Sequence, residues 1–343
     1  GDDGLYLYEG YRLMQGGDPT TSNAETPPLG KYLIGLSIKI FGNGYIYGFI
    51  ITTLAISGIY ALTVVLTNNH FIGMATALLV STDPLITEQF SLTMLDSLQL
   101  FFLLIMLCLL ETLRKNKKVL SNRWVYLGLG IAFGLFSASK FPFASALIAI
   151  SILYFLWKQS KNLLHISLFL VCTLLGYLIP YIPYFIQGHS LLSWFAVQKY
   201  IVSFYLKGYI PPNFGSIITT VLFNRTQNIF SRVWESIPEW SLLWPISTIG
   251  GTLWINHSYR KHTSSIYPTI SILIILVSFF FLVPFWSRYL VIIIPLLIIG
   301  TMVWIHDKFP KYVYSIIGIF LLINICSSLY ILFPTPESTV KQF

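Results

Sequence analysis

Along almost the whole chain, apolar runs recur that are long enough to cross roughly 30 Å of hydrocarbon as helices. Within lipid every backbone polar group must find its partner inside the protein, which leaves helices or closed barrels, and runs of this length select helices. Of the 343 residues, 55% are hydrophobic and only 10% are charged, with a mean hydropathy of +0.72. A water-soluble domain of that make-up would carry very large exposed apolar patches. The expected fold is all-α, a polytopic transmembrane helical bundle forming a single domain over 1–343, with no soluble linker.

The pattern gives about ten candidate spans, at 45–67, 71–86, 94–113, 124–139, 142–157, 163–186, 241–257, 265–284, 288–305 and 312–333. The pair covering 124–157 is divided only by Ser137-Ala138-Ser139-Lys140, so one long kinked helix and two helices are both open there. If the first segment lies outside, the inner loops hold Arg114, Lys115, Lys117, Lys118 and Arg123, then Lys158 and Lys161, then Arg260 and Lys261, then Lys308 and Lys311. That is a positive-inside arrangement, and it makes 1–44 a first extracytoplasmic loop and 187–240 a long one. An outer start followed by an inward helix needs something to translocate it, so one further span before Gly1 is expected.

The net charge of +8 belongs mostly to these short loops, where it orients helices, so nucleic acid is not an expected partner. Cys108, Cys172 and Cys326 all sit in apolar runs without metal-ligand spacing and read as buried small hydrophobes. No fixed-period repeat is evident, which removes solenoids.

Gly1 to Met14 carries Asp2, Asp3 and a Tyr-rich apolar spacing that predicts a short amphipathic helix at the membrane surface, stopped by Gly16-Gly17. Asp3 is a good helix N-cap, which explains one acid but not two. Glu25-Thr26-Pro27-Pro28-Leu29-Gly30-Lys31 then leads into a second surface helix ending at Gly42-Asn43-Gly44, with Thr26 as its cap. An ionisable group near hydrocarbon needs a partner or a wet cavity, and Asp83, Glu88, Asp96, Lys140 and Arg288 all fall at outer helix ends. Asp83 and Glu88 read as structural, while Lys140 and Arg288 are either snorkelling cations or site residues. Acids and bases thus converge on one face, whereas a transporter would place them near the midplane. His189, between Gly188 and Ser190, reads as a solvated loop histidine rather than a metal ligand.

Asp2-Asp3 with a Tyr-rich helix and Gly17-Asp18-Pro19, followed by Pro27-Pro28-Leu29-Gly30-Lys31, resembles the first outer loop of the GT-C glycosyltransferases, specifically the protein O-mannosyltransferase and aminoarabinose (lipid A) transferase group. That group shows Asp-Glu in place of Asp2-Asp3 and often His where Thr26 stands, and Glu25 is closer to the lipid A branch. The resemblance continues through Met94-Leu95-Asp96-Ser97-Leu98, a second acidic position at the outer start of a helix, to Ser139-Lys140-Phe141-Pro142 and weakly to Ser287-Arg288-Tyr289. It implies a GT-C type bundle and an inverting enzyme. Such an enzyme moves a sugar, mannose or another hexose or pentose, from a polyprenyl-phosphate carrier to a protein, lipid or glycan hydroxyl on the extracytoplasmic face.

Sugar transfer of this kind needs a base for the acceptor hydroxyl and a positive environment for the departing phosphate. Asp2 is the expected general base and Asp3 shares or positions. Lys140 and Arg288 are the expected donor-phosphate ligands, and Glu25, Lys31 and Asp96 support substrate binding. No cofactor is required, although the adjacent Asp2 and Asp3 leave a divalent cation open. The aromatics of 187–240, including Trp194, Phe195, Tyr200, Phe204, Tyr205, Tyr209, Trp234 and Trp240, read as an interfacial belt or as a donor-lipid groove and lid. The plasma membrane of a prokaryote is expected rather than the endoplasmic reticulum. The competing classes are a lipid-linked transporter or flippase and a noncatalytic membrane subunit.

Overall fold

A computed structural model describes residues 2–140, 142–207, 213–228, 230–261 and 267–332. Two 13-residue helices come first, α1 (Asp2–Met14) and α2 (Leu29–Phe41). They are followed by α3 (Ile46–Thr67), α4 (His70–Ser81), α5 (Pro84–Gln89), α6 (Asp96–Lys115), α7 (Arg123–Ser137) and α8 (Pro142–Ser160). Next come α9 (Leu163–Leu178), continued through a short 3-10 turn (Ile179–Tyr181) into α10 (Ile182–Ile186), then α11 (Leu191–Leu206) and α12 (Ser216–Phe223). A minimal antiparallel hairpin, β1 (Thr226–Gln227) and β2 (Trp234–Glu235), precedes α13 (Leu243–Lys261), α14 (Pro268–Leu282), α15 (Leu290–Lys308) and α16 (Val313–Leu332).

Among the described residues, four helices are long and apolar enough to cross a membrane: Ile46–Thr67, Asp96–Lys115, Leu163–Ile186 and Ser287–Lys308. Shorter apolar helices accompany them at the other expected span positions except 241–257, where α13 is less apolar, and one more, Leu191–Leu206, lies in the segment expected as a loop; the chain is an integral multi-pass membrane protein. The break at 138–140 separates two helices, α7 and α8, because the chain leaves the helix at Ala138. The 187–240 segment contains α11, α12 and the hairpin rather than a structureless loop.

Both helices expected within 1–44 form. α2 ends on Gly42 at φ +68°, a left-handed conformation that glycine adopts without the steric cost of a Cβ. Two capping expectations are corrected. Asp3 lies inside the first turn of α1, where a carboxylate favours the helix dipole, instead of capping it. The residue preceding α2 is Pro28, with no side-chain cap, and the Thr26 hydroxyl instead donates to Asn23 Oδ1 at 2.6 Å.

Chain contacts define two compact units, each assembled from separate stretches. The first holds 1–58, 89–211 and 266–276. Its apolar core gathers Tyr6 of α1, Leu29 and Ile34 of α2, Tyr47 and Ile51 of α3, Leu95 and Leu98 at the start of α6, and Ala138. Close helix approach depends on glycine: a Cβ on Gly10 would meet Gly35 N at 2.8 Å and Lys31 O at 2.9 Å. Gly130 and Gly134 let α7 lie on α9 in the same way, since a Cβ on Gly134 would meet Tyr177 N at 2.7 Å and Gly176 Cα at 2.8 Å. At the far end of α6, Glu111 Oε1 accepts from Thr269 N (3.1 Å) and Thr269 Oγ1 (2.7 Å), serving the first turn of α14. Its other oxygen is held by Arg114 at 2.6 Å, and Arg114 lies 4.0 Å from the Tyr267 ring centroid.

The second unit holds 59–88, 212–265 and 277–343. α15 is its central helix: 89% of its most apolar window is buried in protein, so its hydropathy serves a core rather than a lipid face. Asn324 of α16 donates to Leu79 O at 2.7 Å and accepts from Ser241 at 3.0 Å, fixing α16 to α4 and to the chain entering α13. Asp83 accepts from Trp244 Nε1 at 2.8 Å and from Leu85 N at 3.1 Å, in keeping with the structural role expected of it.

Candidate active site

In the first unit, the acids of α1 are brought to the head of α6. The Thr93 hydroxyl donates to the Asp3 carbonyl at 2.8 Å, tying the first turn of α1 to the segment that enters α6. Asp96 is the first residue of α6, and both of its oxygens accept from Lys140 Nζ at 2.8 Å. The two partners of this pair are only 0% and 4% exposed, so neither charge faces bulk water. Asp2 and Asp3 remain partly exposed, as a group that meets a substrate must be.

The Pro27-Pro28-Leu29-Gly30 turn is seated on the same spot. Gly30 packs so closely on Leu95 that any Cβ there would collide with it, which accounts for glycine at that position. Lys31 is 1% exposed and reaches back across the turn to Asn23 O (2.7 Å), Thr26 O (3.0 Å) and Asn23 Oδ1 (3.3 Å). Burial pulls its ammonium down to about 8, against the opposing influence of Glu9 and Glu25. Lys31 is therefore a clamp on residues 23–26. Glu25 accepts from Asn23 Nδ2 at 2.6 Å, within the same turn.

A further set of contacts ties the loop between α1 and α2. Buried Glu9 pairs with Arg12 at 2.7 Å, and Arg12 donates to Asp18 O (2.8 Å) and Thr21 Oγ1 (3.0 Å). His189 approaches Asp18 at 3.0 Å and stacks on Tyr184 with centroids 4.1 Å apart, while Gln187 donates to Gly16 O at 3.1 Å. His189 is a loop histidine whose side chain keeps 36% of its surface exposed, and it has in addition an Asp18 partner and a ring neighbour. The glycine turn beside it, Gly188 at φ +90°, is the only local signal of that arrangement.

The structure gathers Asp2, Asp3, Asp96 and Lys140 within the first unit, with Glu25 and Lys31 in the turn packed on Leu95. Arg288 belongs to the second unit, where its guanidinium lies 5.8 Å from the Trp286 centroid and 5.7 Å from that of Tyr289. Sequence reasoning treats Asp96 and Lys140 as separate interfacial ions, and their pairing across 44 residues has no local signature. Of the aromatics in 187–240, Trp194 is buried against Tyr181 and Tyr184, whereas Phe195, Tyr200 and Trp234 are exposed. Tyr209 lies outside the described residues. Among the described residues no three His, Cys, Asp or Glu side chains converge as a metal site would.

Fold and site together describe a polytopic helical membrane protein that resembles the GT-C transferases of the protein O-mannosyltransferase and aminoarabinose transferase group. Residues 25–186 match the family model of dolichyl-phosphate-mannose-protein mannosyltransferases. Among solved structures the fold is similar to ArnT from Cupriavidus metallidurans bound to undecaprenyl phosphate, with a TM-score of 0.59 at 15% identity over 93% of this chain and 58% of that one. It is also similar to the apo state of the same protein, with a TM-score of 0.57 at 14% identity over 92% and 57%. The chain therefore spans less than two thirds of the length of these structures. Comparison with curated proteins returns no match.

Proposed function

We propose that the chain is an inverting glycosyltransferase that takes its sugar from a polyprenyl-phosphate carrier and works on the extracytoplasmic face of a prokaryotic plasma membrane. The observation that carries this reading is the tie between the part-exposed acids of α1 and the head of α6, where Asp96 and Lys140 sit, in a chain whose residues 25–186 fit a family named for such a donor. The fold it shares with a protein bound to undecaprenyl phosphate adds support for the carrier. Mannose is the first sugar to test, and a protein, lipid or glycan hydroxyl is the acceptor.

Asp2 removes the acceptor proton, with Asp3 orienting the hydroxyl. The acceptor oxygen then attacks the anomeric carbon from the face opposite the phosphate. As that bond forms, the bond to the phosphate oxygen breaks, and polyprenyl phosphate leaves with the electron pair. Lys140 meets the phosphate by exchange, the donor anion taking over contact that Asp96 makes in the structure. Arg288 enters on its chemistry, since a guanidinium suits phosphate oxygens. Glu25 and Lys31 act by holding the turn that is seated on Leu95.

Transfer from labelled polyprenyl-phosphate mannose in membranes tests the assignment. Asp2→Asn lowers turnover by about 10²–10⁴-fold while leaving donor binding intact. Unchanged turnover removes Asp2 from the mechanism. Lys140→Ala weakens donor binding, and an unaltered donor affinity reduces the residue to the partner of Asp96.

A further inference from the structure

The end of α9, the 3-10 turn after it and α11 build a second feature in the first unit that the proposed chemistry does not use. Tyr181 and Trp194 stand edge to face with centroids 6.0 Å apart at 83°, and Tyr177 meets Trp194 at 6.3 Å and 70°. The Tyr177 hydroxyl donates to Gln198 Oε1 at 2.7 Å, which fixes the amide so that its nitrogen points elsewhere. One donor is left over outright: Trp194 Nε1 is shut off from solvent and has no acceptor, while Gln198 Nε2 and the Tyr181 hydroxyl, equally shut off, lie within reach of one another without forming a well-aligned bond. Trp194 itself is only 7% exposed. A buried N–H without an acceptor is destabilising, so these groups mark a place where an acceptor oxygen belongs.

The position of this wall limits what that oxygen can come from. Tyr177 packs both on the Tyr181–Tyr184–Trp194 cluster and on the core that holds Tyr6, Leu95 and Ala138. Tyr6 is one helical turn from Asp2 and Asp3, Leu95 precedes Asp96, and Ala138 is two residues from Lys140. The wall therefore adjoins the proposed reaction centre. A polyprenyl chain has no atom to accept from an indole or amide N–H, and the carrier's phosphate, which has, is assigned to Lys140 in the proposed function. A sugar ring has several hydroxyls for such donors and apolar C–H faces for aromatic rings.

We infer that Trp194, Gln198 and Tyr177 form the subsite that recognises the hydroxyls of the donor's sugar, entered from the half-buried Tyr177 and Gln198 side. This rests on the reading of the chain as a polyprenyl-phosphate-dependent transferase. It assigns sugar discrimination to α11 and leaves the chemical step to α1.

The test compares binding of bare undecaprenyl phosphate with binding of the same carrier bearing mannose, glucose or 4-aminoarabinose, using the full purified chain. Wild type binds one sugar-bearing carrier more tightly than the bare one. Trp194→Phe, which keeps the aromatic body and removes only the N–H, lowers that preference about tenfold, the worth of one hydrogen bond, with bare-carrier affinity unchanged. Gln198→Met, measured the same way, reads the second donor without touching the indole. If both variants keep the wild-type preference, the leftover donors serve ordered water and the subsite is overturned. If they weaken both carriers equally, the wall is structural or meets the shared phosphate, and the inference also fails. Binding of the bare carrier with no preference for any sugar overturns the subsite alone, whereas binding of neither carrier overturns the transferase reading together with it.

Discussion

Lys31 is a charge whose hydrogen bonds all go to neutral oxygens, those of Asn23 and Thr26. Its ammonium titrates near 8 when folded and near its ordinary 10.5 when unfolded, because burial disfavours the charged form. Below pH 8 both states are protonated and the full cost of burying the charge is present. Between the two values the unfolded chain binds the extra proton, so stability rises with pH across that window. Thermal unfolding of the purified chain should therefore show wild type gaining on Lys31→Met between pH 7.5 and 10, by on the order of 3 kcal/mol. Parallel pH profiles for the two proteins would show that Lys31 stays protonated throughout. The sequence marks Lys31 as important through the Pro-Pro-Leu-Gly-Lys motif but cannot say for what, because its partners are backbone carbonyls that any residue could supply. Asp96 and Lys140 were each legible as costly ions needing partners. That they satisfy each other depends on a distance the sequence does not contain.

At the scale of elements, glycine decides how near two helices come. Gly10 and Gly35 allow α1 to rest on α2 backbone to backbone, and that seat keeps Asp3 beside Thr93. Gly35→Val should push the helices apart, destabilising the fold by about 1–3 kcal/mol and lowering turnover. Gly318→Ala, which meets nothing within 4 Å, should leave both unchanged. A Gly35→Val protein with wild-type melting and turnover would mean that α1 is free to shift without losing its site. Helix positions were readable because bilayer thickness sets a minimum run of apolar residues, and the glycine stops at 16–17 and 42–44 bounded α1 and α2. The caps were not readable. Thr26 and Asp3 are competent capping residues, yet Thr26 is recruited by Asn23 and Asp3 by the interior of the first turn.

For the molecule as a whole, the distribution of Lys and Arg predicts which loops face which side. In intact cells, a membrane-impermeant maleimide should label Ser22→Cys at once, but Asn116→Cys only after the membrane is opened, in a background where Cys326 is serine. Equal labelling of both before permeabilisation would reverse or abolish the assigned orientation. Charge asymmetry survives in the sequence because it acts loop by loop. The division into two units does not, since each is stitched from segments far apart in the chain.

Glu111 has a consequence for synthesis. The groups it serves on Thr269 lie 158 residues downstream. At about 5–20 residues per second, this carboxylate waits roughly 10–30 s between its own emergence and that of its partner. For that interval α6 holds an acidic group among apolar helices with only Arg114 to offset it. A nascent chain stalled before Thr269 would present that half-satisfied charge to whatever surveys newly inserted helices. The same contact that closes the first unit therefore also reports that its last segment has arrived.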